Sequence, residues 1–273
     1  MSDASADSQM GSHDIPERAD GAAVPADHVA AAEAAAHAAA AREAAAARVA
    51  AEERACELRP GGGSPDEPLR IGVLLSGSGT NLQAIIDRIA DGSLNARIEL
   101  VVSSRPSAYG LKRAEAAGIQ TLTLSKEIYA DPMVADEVIA AELVRHHVDY
   151  VIMAGYMRMV HAPLLATFPN RVVNLHPALL PSFPGAHAIA EAYARGVKVT
   201  GVTVHFANDL YDSGPIIAQR ALTVEEGWSV EELEEEIHKI EHVLYPEVIQ
   251  LLAEGRVHVE ADGRVSIVAA AGE

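Results

Sequence analysis

Three side chains of this 273-residue sequence have types and spacing suited to acyl chemistry. The segment Val173-Asn174-Leu175-His176-Pro177 starts in the aliphatic run of a strand, where side chains alternate with period two. Asn174 and His176 therefore share a face, and a strand of an open α/β sheet delivers them to the C-terminal edge where such sheets hold ligands. An amide N–H there can hold a developing oxyanion, and a protonated imidazole beside it can stabilise the same charge and move protons. A single histidine in an apolar setting is more often structural than catalytic. Here the amide neighbour, the strand end and a later acid weigh the other way. That acid is Asp212, in Tyr211-Asp212-Ser213-Gly214-Pro215-Ile216, on a polar loop that can return to the same edge. A carboxylate beside His176 would orient the imidazole and raise its pKa. A rival reading gathers His176, His187, His205 and Asp212 around zinc or iron. The sequence contains no compact metal spacing such as H-E-x-x-H, and no metal is expected.

A second chemical feature is Ser76-Gly77-Ser78-Gly79-Thr80-Asn81, which ends one strand and runs straight into Leu82-Gln83-Ala84-Ile85-Ile86. Glycines let the backbone approach a ligand, and the free N–H groups of a first helical turn can point at phosphate oxygens. A dinucleotide site would want glycine where Leu82 stands, and an acid where the next strand ends in Ser103-Ser104-Arg105. A mononucleotide-like phosphate fits this loop better.

The elements that must carry these residues are short aliphatic runs alternating with helical patterns, the mark of a parallel sheet wound with helices. Strands are expected at Arg70 to Leu75, Arg97 to Ser103, Thr121 to Leu124, Asp149 to Met153 and Val172 to Leu175. Helices are expected near Leu82 to Ala90, Gly110 to Ala117, Val134 to His146 and Ala162 to Thr167. Val199 to Phe206 and Pro215 to Thr223 then read as two antiparallel strands joined by the polar loop Ala207 to Gly214. A final helix, Ser229 to Leu252, has Ser229 as N-cap and Glu231 and Glu232 where the helix dipole favours acids. The expected fold is an open, mostly parallel, doubly wound α/β sheet with an antiparallel C-terminal portion. Prolines 177, 181 and 184 make the segment after His176 a rigid loop rather than a helix.

Composition bounds the partners. With 39 acidic and 21 basic side chains the net charge is -18, which argues against coating nucleic acid or an anionic membrane. Three Phe, one Trp and seven Tyr leave little for an aromatic stacking platform. Cys56 is the single cysteine, so no internal disulfide can form and a reducing, cytoplasmic setting fits. No stretch approaches the ~18 apolar residues of a membrane span. From Val29 to Ala50, 15 of 22 residues are alanine, which favours helix over about Asp27 to Leu58 but leaves no apolar face to pack. Arg59-Pro60-Gly61-Gly62-Gly63-Ser64-Pro65 reads as a linker. Residues 1–67, with 13 acids and 5 bases, are therefore expected to form an appendage to a domain over 68–273. The bland reading is a solvated tail, and the alternative is a helix for an unknown partner.

Four segments together resemble one family: Leu74 to Gln83, Ala154-Gly155-Tyr156-Met157-Arg158, Val173 to Pro184, and Asp212-Ser213-Gly214-Pro215-Ile216. They look like the phosphoribosylglycinamide formyltransferases, the folate-dependent glycinamide ribonucleotide transformylases of purine synthesis, over about residues 69–257. The resemblance implies a Rossmann-like formyltransferase fold. It implies Asn174, His176 and Asp212 as the catalytic trio, and Gly79, Thr80 and Asn81 around the ribonucleotide phosphate. Met157, Pro177 and Glu241 would line the substrate amine side. Arg158, Met159, Val160 and the loop holding Asn208, Asp209 and Asp212 would border the pterin of the cosubstrate 10-formyltetrahydrofolate, with Asn174 reaching the same cosubstrate. The sequence departs from the family pattern at Asp131-Pro132-Met133-Val134, where an arginine near the phosphate often stands, and in its long Ala-rich extension.

The nearest rival enzyme is a formyltetrahydrofolate hydrolase, in which water replaces the amine, but such proteins usually lead with a small folded regulatory domain. Methionyl-tRNA formyltransferase carries a further tRNA-binding domain, whereas only residues 253–273 follow the last helix here. A non-catalytic phosphate sensor would have no use for an intact trio. A nicotinamide dehydrogenase is disfavoured by Leu82.

Overall fold

The structure, a computed structural model, describes residues 67–269. The Ala-rich stretch, the Arg59 to Pro65 linker and Cys56 lie outside the described residues. One sheet contains β1 (Leu69–Leu75), β2 (Ala96–Ser103), β3 (Thr121–Thr123), β4 (Tyr150–Met153), β5 (Val172–His176), β6 (Val199–Phe206) and β7 (Ile216–Thr223). Its order is β3-β2-β1-β4-β5-β6-β7. The first five strands are parallel, while β6 runs antiparallel to both β5 and β7. The doubly wound sheet with an antiparallel portion is thus the fold. The helices among the described residues are α1 (Thr80–Ala90), α2 (Tyr109–Ala116), α3 (Lys126–Tyr129), α4 (Pro132–Arg145), α5 (Ala162–Thr167), α6 (Ala188–Arg195) and α7 (Val230–Ala253). A separate hairpin, β8 (Val257–Val259) and β9 (Val265–Ile267), comes after α7. The expected elements recur with small shifts at their ends, whereas α3, α6 and the hairpin are additional.

Alternation along β1 divides the core. Leu69, Ile71, Val73 and Leu75 face a cluster that includes Leu82 and Ile85 of α1 and Leu233, Ile237 and Leu244 of α7. Leu74 points the other way, toward Ile139 and Leu143 of α4 and Leu164 of α5. Each such side chain, fully buried, contributes about 1.5–3 kcal/mol. No helix among the described residues is long and apolar enough to cross a membrane.

The last helix fastens the sheet at its ligand-bearing edge. Ser229 caps α7 by accepting at its side chain from the Glu232 N–H, and the Glu232 side chain accepts from the Ser229 N–H, a capping box. Further along, Tyr245 is fully buried, with its hydroxyl 2.9 Å from the Val173 carbonyl and 3.1 Å from that of Met153. The helix thereby ties the end of β4 to β5.

Candidate active site

Register sets the heights of the three expected catalytic residues. Asn174 pairs with Met153, the last residue of β4, so His176 projects two residues past the end of its neighbour. On the other side Asn174 pairs with His205 of β6. The loop after β6 leaves the sheet low: Ala207 N–H donates to the Val172 carbonyl, and Phe206 N–H to that of Pro215. The intervening residues then climb to bring Asp212 up beside His176. Gly214 permits the return, because a Cβ there would sit 1.8 Å from the Phe206 oxygen. Asp212 itself adopts left-handed φ of 46°, a conformation that costs a non-glycine residue energy and clusters at functional sites.

The structure brings Asn174, His176 and Asp212 together. Asn174 Nδ2 donates to Asp212 Oδ1 at 3.3 Å, and Asp212 Oδ2 lies 3.4 Å from His176 Nδ1. Gly185 N–H donates to the same Oδ2 at 2.8 Å. His176 Nε2 is 2.8 Å from the Phe183 carbonyl, which can only accept, so this nitrogen carries a hydrogen. Thr203 fixes the loop after His176 by donating to the Ala178 carbonyl and accepting from Leu180 N–H.

Electrostatics corrects one expectation. Burial is the largest influence on His176 and lowers its pKa, while Asp212 and the Phe183 carbonyl push upward without prevailing. Burial thus favours the neutral imidazole, while Asp212, 3.4 Å from Nδ1, offers a partner for a second proton. Burial also pushes Asp212 upward, but His205, the Gly185 N–H and His176 together outweigh it and leave its pKa below the ordinary value.

His205 joins the group, with Nε2 3.2 Å from Asn174 Nδ2 and 3.7 Å from Asp212 Oδ1. Its Nδ1 faces the Phe206 carbonyl at 2.9 Å and so bears a hydrogen, and its Nε2 lies within reach of both the Asn174 amide and the Asp212 carboxylate. Sequence alone offers His205 only as a metal ligand, because its pairing with Asn174 depends on strand order. His187 is exposed at the start of α6, and no group of three or more His, Cys, Asp or Glu among the described residues is arranged to hold a metal ion.

An open cleft adjoins the trio. Arg158, Met159, Val160 and Asn208 line it beside Asn174 and Asp212, whereas Asp209 stands exposed outside the lining. Asn208 braces its own loop, its Oδ1 accepting from Leu210 N–H and Ser213 Oγ. Leu210, Tyr211 and Met157 expose 64%, 51% and 58% of their surface around this region, an apolar rim left open to a ligand.

The glycine loop forms the other half. Gly79 caps α1 in left-handed conformation, and neither a side-chain cap nor an acid occupies the first turn, so its N–H groups remain open to an anion. Gly79 also lies against Gly110, whose Cα a Cβ at position 79 would meet at 2.5 Å. Arg113 of α2 donates to the Ser78 carbonyl at 2.9 Å and to Gln83 at 3.1 Å, bracing the loop with a positive charge. Asn81 Nδ2 donates to Glu241 at 2.9 Å, while Asn81 Oδ1 is buried without a partner. Burial raises the Glu241 pKa, with Asn81 opposing. A single hydroxyl joins the two halves: Ser76 Oγ accepts from Met157 N–H at 2.8 Å and lies 2.6 Å from Ser104 Oγ. Pro177 comes directly after His176. Arg113 does not announce itself in the sequence, since its partners lie on other elements.

A doubly wound sheet with an amide, an imidazole and a carboxylate at the end of β5 defines a class. The chain belongs to the formyl transferase family, whose model matches residues 69–249. Within that class the chain is similar to phosphoribosylglycinamide formyltransferases. The chain is 38% identical over 183 residues to a phosphoribosylglycinamide formyltransferase of Bacillus subtilis (strain 168), covering 67% of this chain and 94% of that protein. To the enzyme of the same name from Escherichia coli (strain K12) it is 36% identical over 189 residues, 69% of this chain and 89% of the other. A crystal structure of glycinamide ribonucleotide transformylase 1 from Symbiobacterium toebii superposes with a TM-score of 0.72 at 48% identity, covering 74% of this chain and 95% of that one.

Proposed function

We propose that this protein transfers the formyl group of 10-formyltetrahydrofolate to the amine of glycinamide ribonucleotide, the phosphoribosylglycinamide formyltransferase reaction of purine biosynthesis. The observation that carries the reading is Asp212 bonded to Asn174 and facing His176 beside an open cleft, in a chain that resembles enzymes of that name over nearly their whole length. In this reading Arg158, Met159, Val160, Asn208 and the apolar rim receive the pterin. The open N–H groups at Gly79, Thr80 and Asn81 receive the phosphate, and Met157, Pro177 and Glu241 border the amine-bearing part of the ribonucleotide.

Those positions dictate the chemistry. The amine nitrogen attacks the formyl carbon, and the carbonyl oxygen becomes an oxyanion. Asn174 Nδ2 exchanges its bond to Asp212 for one to that oxygen. The amine proton passes, directly or through water, to Asp212 and on to His176, so that the imidazolium stands beside the oxyanion with Asp212 again a carboxylate next to it. The C–N10 bond then breaks, N10 takes that proton from His176, and tetrahydrofolate leaves with formylglycinamide ribonucleotide as the other product. Mixing the purified protein with 10-formyltetrahydrofolate, with and without glycinamide ribonucleotide, tests the reading. Tetrahydrofolate release that needs the amine supports it, and release in water alone makes the protein a hydrolase.

A further inference from the structure

Tyr156, Arg158, Met159 and Val160 line the cleft on one side, and the helices behind them hold the segment 154–161 at several points. Asp136 of α4 is 3% exposed, and its carboxylate accepts from the main-chain N–H of His161 while lying 3.1 Å from His161 Nδ1. The Arg158 guanidinium lies 4.4 Å from the Tyr129 ring centroid and donates to the Tyr129 carbonyl at 2.9 Å. Tyr129 OH in turn donates to the Ser103 carbonyl at 3.2 Å and also interacts with the Tyr156 hydroxyl. None of these contacts touches the trio.

A buried carboxylate is costly, and burial pushes the Asp136 pKa up despite its bonds to His161 and the nearby Arg158. Its neighbours on the same helix, Ala135, Ile139, Ala140 and Leu143, are apolar and packed, so Asp136 is not needed for solubility. Its one evident use is to hold the end of the segment whose residues 158, 159 and 160 face the cleft.

We propose that Asp136 and Tyr129 are positioning residues that clamp the 158–161 end of this segment from behind and thereby set the affinity of the cleft for the folate formyl donor, without acting on the ribonucleotide or on the chemical step. The proposal rests on the formyltransferase reading, and the experiment separates the two. For Asp136→Ala, the KM for the folate formyl donor and the Kd of tetrahydrofolate by calorimetry should rise about tenfold or more, ~1.4 kcal/mol, with kcat and the ribonucleotide KM within about threefold. Asp136→Asn, which keeps one acceptor oxygen for the His161 N–H, should restore folate affinity to within about threefold of the parent. If Asp136→Ala does not fold, Tyr129→Leu carries the test and should raise the folate constants about threefold or more, with no change for the ribonucleotide. Equal losses for both substrates, unaltered folate constants in the folded variants, or an asparagine variant as impaired as the alanine one would each overturn the clamp. A parent protein that neither binds tetrahydrofolate nor releases it overturns the functional reading and the clamp with it. A working parent with unaffected variants overturns the clamp alone.

Discussion

Replacing Asp212 with asparagine removes one charge and keeps the shape, so its effect can be worked from distances. Asp212 Oδ2 accepts from Gly185 N–H at 2.8 Å, and an asparagine would keep that bond by turning its carbonyl oxygen there. Its NH2 would then face Asn174 Nδ2, which at present donates to Oδ1 at 3.3 Å, so two donors would oppose each other. The charge matters more. His176 Nδ1 lies 3.4 Å from Asp212, and the side chains are 4% and 7% exposed. Opposite charges about 4 Å apart at an effective dielectric of 20 attract by about 4 kcal/mol. An imidazolium that forms only during attack would lose stabilisation of that order, equivalent to about 10³-fold in rate. Water entering with the substrates screens part of this, which sets the expected fall in kcat at about 10² to 10³. Tetrahydrofolate release at saturating substrates between pH 6 and 9 measures it, alongside titrations showing that both ligands still bind. An Asp212→Asn protein that binds both ligands and keeps a tenth or more of parental kcat across that range would sink the assignment.

Glu241→Gln should raise the ribonucleotide KM and stabilise the fold in a pH-dependent way. Burial raises the folded-state pKa of Glu241, so its favourable contribution is complete below the unfolded value and fades as pH rises through the folded one. The variant, resembling the protonated acid, should gain in Tm over the parent at pH 8 and show no gain near pH 4; a difference that does not vary with pH contradicts the sign. Gly79→Ala should lower stability by about 1–3 kcal/mol through its clash with Gly110, about 2–4 °C in Tm per kcal/mol, while Gly77→Ala, with nothing within 4 Å of its added Cβ, should melt like the parent. Equal melting of the two variants would mean that the loop adjusts freely. Removing residues 1–65 should leave kcat and both KM values within about twofold, given a composition without the side chains for a core; a folded truncation that loses most of its turnover would tie that segment to catalysis.

Local periodicity makes part of this site legible. Period two puts Asn174 and His176 on one face, and the strand-to-helix glycine loop marks the anion cradle, because both depend on neighbours in the chain. The loop from Ala207 to Gly214 is readable as a connection, and Asp212 as the residue it can return. His205 is not, since facing Asn174 requires knowing that β6 inserts antiparallel beside β5. Asp136, Tyr129 and Arg113 are hidden for a similar reason: each acts on a loop 25 to 35 residues away, and nothing in its own segment hints at the target. The ionisation of His176 escapes the sequence because a partner's charge can be inferred there while the depth of burial that opposes it cannot.

The order in which the elements emerge during synthesis gives α7 a further importance. Asn174, His176 and Asp212 are all present once the chain reaches Ile216, yet the tyrosine that holds the carbonyls of Met153 and Val173, and the glutamate that meets Asn81, arrive only at positions 245 and 241. A growing chain that halts before this helix carries every reacting group while leaving a face of the sheet, including Val202 and Val204 of β6, without its cover. Exposed apolar strands of that kind invite association with other chains. Competence therefore arrives late and all at once, when one helix closes the core and sets the strand ends in the same step.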